Sequence, residues 1–370
     1  MPIYLKDMSS PPPTLHVNLD AIAANYRALR DAFYGEQVSA VVKADAYGCG
    51  MVPVATRLVQ EGCTQFFVAT LQEALDFRAA LPEVPVVFFY GPQNQEEAKI
   101  CIAQNVTPVL NSPKQMECWQ AVTAGNPSFL HFDTAMARMG LTESEYKDIR
   151  YDRPELLEVC NVQVVMTHLC NASDPAHDIN EVQRARFAAM AMHLPDAKRS
   201  LCNSGGIGLG EDWACDLARP GCALYGILPH NSYPIELQNV AKWEAPILQV
   251  RTLDRDQPIG YGCTVMREKG ARLATVATGY ADGMLRGLSN NLSGLCAGVK
   301  VPLVGRVTMD MLSFDVSEVP EAQLERTESI MLMWDDQNVN TIAELADTIG
   351  YEVLCRIGAR VQRVYTGEAA

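Results

Sequence analysis

VSAVVKADAYGCG, residues 38–50, is a run of β-branched residues that ends on Lys43, with Tyr47 four positions later and two glycines close behind. A lysine at the mouth of a buried strand is either a solvated charge in an ordinary turn or an amine placed to react. The neighbouring sequence bears on the choice. Similar short runs, rich in β-branched or aromatic residues, recur at 38–44, 64–70, 85–91, 106–112, 127–133, 162–169, 199–206 and 217–226. Between most of them VATRLVQEG (54–62), LQEALDFRAAL (71–81), NQEEAKICIAQ (94–104), PKQMECWQAV (113–122) and NEVQRARFAAMAMHL (180–194) place apolar residues at helical spacing. Parallel strands need crossover helices, and eight strand–helix units close into a (β/α)8 TIM-type barrel.

From about residue 244 the texture changes. APILQVRTL, QPIGYGCTVM, RLATVATGYADG, KVPLVGRVTMDMLSFDV and SIMLMWD follow one another as strand-like runs, and only TIAELADTIGYEV (341–353) reads as a helix. The expected division is a barrel over 14–243 and a mostly β domain over 244–370 together with 1–13. At 370 residues two domains are the ordinary expectation.

Composition narrows the function classes. A net charge of −14 leaves no basic face for a phosphate backbone, so nucleic-acid binding is not expected. The N-terminal MPIYLKDMSSPPP lacks an apolar core flanked by basic residues, and no stretch is long enough to span a bilayer, so a cytoplasmic protein with no membrane partner is expected. Twelve cysteines are scattered with no CxxC pair and no Cys/His cluster at metal spacing; reduced thiols and no metal are the reading.

The C-terminal ends of barrel strands form the active face. There the chain places Lys43, Arg138 in HFDTAMARMG, His168 in VMTHL, Asn203 and Ser204 in NSGG, and Arg219 in the RPG turn. Each alone has an ordinary structural explanation: a solvated lysine, a core histidine, turn chemistry, a surface ion pair. Together they have chemical coherence. Ser204 and the amides near Gly205, Gly206 and the Gly221–Cys222 turn suit an anion, Lys43 suits an aldehyde, and the His168 imidazole can pack on an aromatic ring. Phosphate, aldehyde and ring describe pyridoxal 5′-phosphate.

AVVKADAYGCG resembles the pyridoxal-phosphate lysine motif of the alanine racemase family, and DTAMARMG, VMTHL, NSGG, ARPGCALYG, GYGCT, GYADG and VGRVTMD are similar to that family's motifs in the same order. The resemblance covers residue 16 to about 365. It implies a fold type III pyridoxal-phosphate enzyme, a homodimer with shared active sites, interconverting L- and D-alanine for cell-wall peptidoglycan. It also implies that Lys43 and Tyr280 are the two acid/base groups, Tyr280 coming from the partner subunit. Tyr47, Ser204, Gly221 and Cys222 hold the phosphate, with Asn203 and His168 also in the cofactor set. Arg219 faces the ring nitrogen, while Arg138 and the Met309 N–H take the substrate carboxylate. Racemisation removes a proton from one face of Cα and returns it on the other, which calls for two groups.

The chain departs from the family pattern at Cys49, Ala135, Ala137 and Ala359, and at His131, where some members carry a lysine that becomes carbamylated. Alternative readings are a racemase of another amino acid such as serine, a fold type III decarboxylase, and a single-barrel pyridoxal-phosphate homeostasis protein. The last lacks a second β domain.

Overall fold

The computed structural model describes residues 11–367, which divide into two compact units, Leu19–Gln238 and a second made of Asn239–Gly367 with the N-terminal residues through Asn18. In the first, seven short parallel strands lie in chain order: Ala40–Val41, Phe66–Val68, Val86–Phe88, Thr107–Leu110, Ser128–His131, Val162–Met166 and Lys198–Ser200. The eighth, Leu217–Ala218, pairs parallel with Gln37–Val38. Gln37–Val38 and Ala40–Val41 are one strand interrupted at Ser39, whose N–H donates to the Ala218 carbonyl at 3.0 Å. On its other side the eighth strand is stitched on where the Arg219 N–H meets the Cys202 carbonyl at 2.9 Å. The expected barrel of eight strands is therefore present.

Parallel strands covered on both faces read as continuous apolar runs, not alternations. FFV at Phe66–Val68 and VVF at Val86–Phe88 are buried at every position. Phe67 stacks on Phe89 at 5.2 Å and meets the edge of Phe129 at 5.8 Å, filling the space inside the strands. Each such side chain contributes about 1.5–3 kcal/mol on burial. The helices begin at defined residues. Thr70 and Glu73 form a capping box on Leu71–Ala80, Asn94 caps Gln95–Ala103, and Ser112 followed by a proline opens Pro113–Gln120. Caps that follow the strands in chain order fix where each rim loop ends.

The second unit is built on the twelve-residue strand Ala241–Thr252, which pairs antiparallel with Thr14–Asn18, Ser329–Met333 and Arg272–Val276. Register shifts near Trp243 and Ile247 let one strand change partners along its length. Thr14–Asn18 also pairs parallel with Gln362–Thr366, so it belongs with this unit, and the barrel unit begins at Leu19, five residues after the expected start at 14. The expected helix over 341–353 is two helices, Val339–Leu345 and Gly350–Cys355. The chain turns at Asp347, where φ is 55°, a value that ends a right-handed helix.

Candidate active site

Lys43 follows strand Ala40–Val41 directly and opens the short turn Lys43–Tyr47. Ala44, Asp45, Ala46 and Tyr47 all have φ between 52° and 56°, a single turn of left-handed helix built from non-glycine residues. Each such residue carries roughly 1–2 kcal/mol of steric cost, so the surroundings must hold the turn. Glu73 accepts the Ala44 N–H at 2.6 Å, and the Asp45 carboxylate accepts the Met51 N–H at 2.7 Å, at the start of the next helix. Lys43 is thereby fixed at the rim. Its ammonium lies 6.0 Å from the Phe89 ring centre.

A cavity of about 970 Å³ opens beside it, lined by Lys43, Phe89, Asn111, His131, Arg138 and His168 among others. Arg138 rides a loop organised by Asp133, whose carboxylate accepts the N–H groups of Ala135, Met136 and Ala137. Two positions where the family pattern differs, Ala135 and Ala137, have φ of 133° and 55°, so alanines occupy backbone that favours glycine or asparagine.

Arg219, 3% exposed, acts electrostatically on His131 and His168 of this cavity, and its guanidinium donates to the Ser200 carbonyl at 2.9 Å, the Ser200 hydroxyl and the Thr167 carbonyl at 2.5 Å. Among the described residues it has no carboxylate partner. Burial pulls its pKa down to about 10, yet it stays charged at neutral pH. A buried cation held only by neutral oxygens is costly, and its surroundings suit an electron-rich group on a ligand.

A third cluster gathers the glycine turns. The Ser204 hydroxyl accepts the N–H groups of Gly221 at 3.0 Å and Ala223 at 3.3 Å, and Asn203 caps the following turn through the Gly206 N–H. A Cβ on Gly221 would sit 2.3 Å from the Tyr47 hydroxyl, so only glycine lets the phenol close on this turn. Tyr47 in turn stacks on Tyr225 at 4.7 Å. The buried Cys222 follows in the same turn. Amides, a hydroxyl and a phenol converge, as an anion cradle requires.

Tyr280 and Met309 lie in the β-rich unit. The Tyr280 N–H donates to the Thr308 carbonyl at 2.9 Å and the Ala281 N–H to the Met309 carbonyl at 3.0 Å, so these two residues are held side by side. Among the described residues, neither the Tyr280 hydroxyl nor the Met309 N–H has a hydrogen-bond partner. Both side chains are exposed, at 42% and 53%.

Residues 17–229 match the family model for the alanine racemase N-terminal domain, and residues 240–365 that for the alanine racemase C-terminal domain. The chain belongs to the alanine racemase family. Alanine racemase of Rhodospirillum rubrum is 44% identical over 359 residues, covering 95% of this chain and 96% of that protein. Alanine racemase of Acidiphilium cryptum is 40% identical over 355 residues, with 95% and 98% covered. The crystal structure of alanine racemase from Bartonella henselae with covalently bound pyridoxal phosphate superposes with a TM-score of 0.89 at 36% identity, covering 96% of this chain and 100% of that one.

Sequence reasoning about this alanine racemase family member missed the supports of its site. Asn111 is the clearest. Its amide nitrogen donates to the Phe89 and Val109 carbonyls at 2.9 Å each, which turns Oδ1 toward His131 Nδ1 at 2.8 Å. His131 Nδ1 must then carry the proton, leaving Nε2 an acceptor. Burial first, then Arg219 and Arg138, push the His131 pKa down to about 3. No motif signals this pairing, because it joins residues 20 apart on neighbouring strands.

A histidine near 6.5 when unfolded and about 3 when folded makes the unfolded chain the better proton binder between those values. Its stabilising contribution is complete above 6.5 and is lost as pH falls toward 3, at up to about 1.4 kcal/mol per pH unit for one proton. His168 is pushed the same way, by burial and then by Arg219, and adds to the acid slope. Urea unfolding of His131→Gln between about pH 6 and 4 is expected to show a shallower loss of stability than the parent. Identical slopes would mean that His131 takes up a proton freely in the folded state.

Proposed function

We propose that this chain is a pyridoxal-phosphate-dependent racemase that interconverts L- and D-alanine by moving the Cα proton between Lys43 and Tyr280. The observation that carries the reading is the strained Lys43 turn opening on a cavity shared with Arg138 and His168, with the buried Arg219 acting on His168 and having no carboxylate partner among the described residues. The residues present fit the cofactor. Ser204 and the turn at Gly221 and Cys222, with Tyr47, would hold its phosphate, Arg219 would serve its ring nitrogen, His168 and Asn203 would lie in the same set, and Lys43 would be its covalent anchor. When bound, the cofactor supplies an electron sink that acidifies the substrate's Cα.

The rest falls to the chain's own groups. Arg138 binds the substrate carboxylate in the barrel, with the Met309 N–H as a second donor. Lys43 takes or returns the proton on one face of Cα and Tyr280 on the other. Tyr280, Met309 and Met311 form an exposed, largely apolar group, which is a surface suited to cover by another protein face. We assign that role to a second copy of the chain, so that Tyr280 of each subunit completes its partner's site. We place the enzyme in the cytoplasm as a supplier of D-alanine to peptidoglycan. Among the described residues no helix is long and apolar enough to cross a membrane.

The deciding experiment follows loss of Cα deuterium and release of carbon dioxide for a panel of L- and D-amino acids with added cofactor. Exchange and inversion of alanine above all others, without carbon dioxide, is the expected result. Faster inversion of serine or another amino acid would move the substrate assignment, and carbon dioxide release would replace racemisation with decarboxylation.

A further inference from the structure

The Tyr280 phenol has a demanding task for a side chain that is 42% exposed and has no hydrogen-bond partner for its hydroxyl among the described residues. Its orientation must come from the backbone that carries it. That backbone is the short turn Tyr280–Asp282, and the Asp282 carboxylate, 2% exposed, reaches back to accept the Gly279 N–H at 2.8 Å. Arg360 grips the same carboxylate from the other side. Its Nε donates to Oδ1 at 2.7 Å and a terminal nitrogen to Oδ2 at 2.9 Å, a two-point fork that fixes both distance and plane.

The remaining terminal nitrogen of Arg360 donates to Asp310 at 2.9 Å, the residue directly after Met309. One guanidinium therefore ties together the segment bearing Tyr280, the segment bearing Met309, and its own loop, where the Gly358 N–H also donates to the Asp282 carbonyl at 2.9 Å. The turn has little slack. A Cβ on Gly279 would lie 2.3 Å from the carbonyl oxygens of both Thr308 and Met309, and one on Gly283 would lie 2.3 Å from that of Arg356.

We propose that Arg360 is a positioning residue that, through Asp282 and Asp310, sets the placement of the Tyr280 phenol relative to the Met309 N–H. This rests on the assignment of Tyr280 as one of the two proton carriers. Arg360 touches neither substrate nor cofactor in this account. It holds the spacing between the group that moves the proton and the donor that binds the carboxylate. A displacement near 1 Å at such a group lowers turnover about 10²-fold and lowers solvent exchange for one enantiomer only, whereas loss of a merely structural pair would lower exchange of both enantiomers alike.

The test uses the full-length enzyme with its cofactor. Arg360→Lys keeps the charge but not the fork. It is expected to lower kcat for racemisation about 10- to 100-fold in both directions, while the loss of Cα-deuterium exchange is confined to the enantiomer whose exchange is lost in Tyr280→Phe. Exchange of the other enantiomer and the visible absorbance of the bound cofactor should stay near the parent's. Asp282→Asn, which retains an oxygen for the Gly279 N–H, should show the same one-sided loss. A second readout is independent of turnover: the ¹⁹F resonance of 3-fluorotyrosine at position 280 should shift or broaden in Arg360→Lys.

Equal loss of Cα-deuterium exchange for both enantiomers, or full activity in a folded variant with an unchanged ¹⁹F line, overturns the proposal. So does failure of both variants to fold, which would assign the pair to stability alone. If Tyr280→Phe itself shows no one-sided loss, the Tyr280 assignment fails instead. The ¹⁹F line then still reports whether Arg360 orders the phenol.

Discussion

Lys43→Ala is expected to abolish racemisation of alanine, a loss on the order of 10⁴-fold or more, since the proposed function makes this one amine both a proton carrier and the covalent anchor of the cofactor. The purified variant should lack the visible absorbance of lysine-bound pyridoxal phosphate, and borohydride should no longer fix cofactor to the chain. In the parent, peptide mapping after borohydride should find the label on Lys43. The geometry makes this a sharp test. Lys43 is placed at the rim by a left-handed turn held through Glu73 and Asp45, and it shares its cavity with Arg138 and His168. A label on any other lysine would separate the reactive amine from this cavity and overturn the site.

Tyr280→Phe is expected to keep the cofactor, because the β-rich unit supplies none of the residues proposed to hold it. The phenyl ring retains the shape of the side chain while losing the only atom that can carry the proton. Turnover should fall about 10²–10⁴-fold, and the fall should be one-sided. The enantiomer whose proton is handled by Lys43 continues to exchange with solvent, while exchange of the other collapses. Mixing Lys43→Ala with Tyr280→Phe subunits should restore activity, since a mixed dimer with shared sites contains one site having both groups. Demonstrably mixed dimers without recovered activity would confine Tyr280 to its own chain or to a structural role.

The barrel was legible because its strands are short, parallel and buried on both faces, so that FFV and VVF stand out as uninterrupted apolar runs between helical patterns. The positions of Lys43, Arg138, His168, Asn203, Ser204 and Arg219 were legible for the same reason: each follows a strand. The roles proposed for Tyr280 and Met309 rest on the family resemblance, since neither sits in a spacing that announces chemistry. The β-rich unit was harder to read. Strand Ser293–Cys296 is SGLC, with no β-branched residue to mark it, and Gln362–Thr366 is recognisable only through its pairing with Thr14–Asn18, some 350 positions away. The supports of the site stayed hidden because they are long-range polar contacts. Ser200 and Thr167 hold Arg219, Asn111 holds His131, and Arg360 holds Asp282, and nothing in the local residue pattern of any of them differs from an ordinary turn or strand.

The left-handed turn after Lys43 bears on how this protein can be improved by engineering. Ala44 and Ala46 sit at φ of 52° and 53°, where glycine is at ease and alanine is not. A selection for heat resistance alone will therefore favour glycine there wherever relief of steric cost outweighs the added freedom of the unfolded chain. The same replacement slackens the segment that aims the amine. Thermostability and turnover thus compete at these two positions, and randomisation that admits valine, isoleucine or threonine there wastes its diversity on side chains that the backbone rejects.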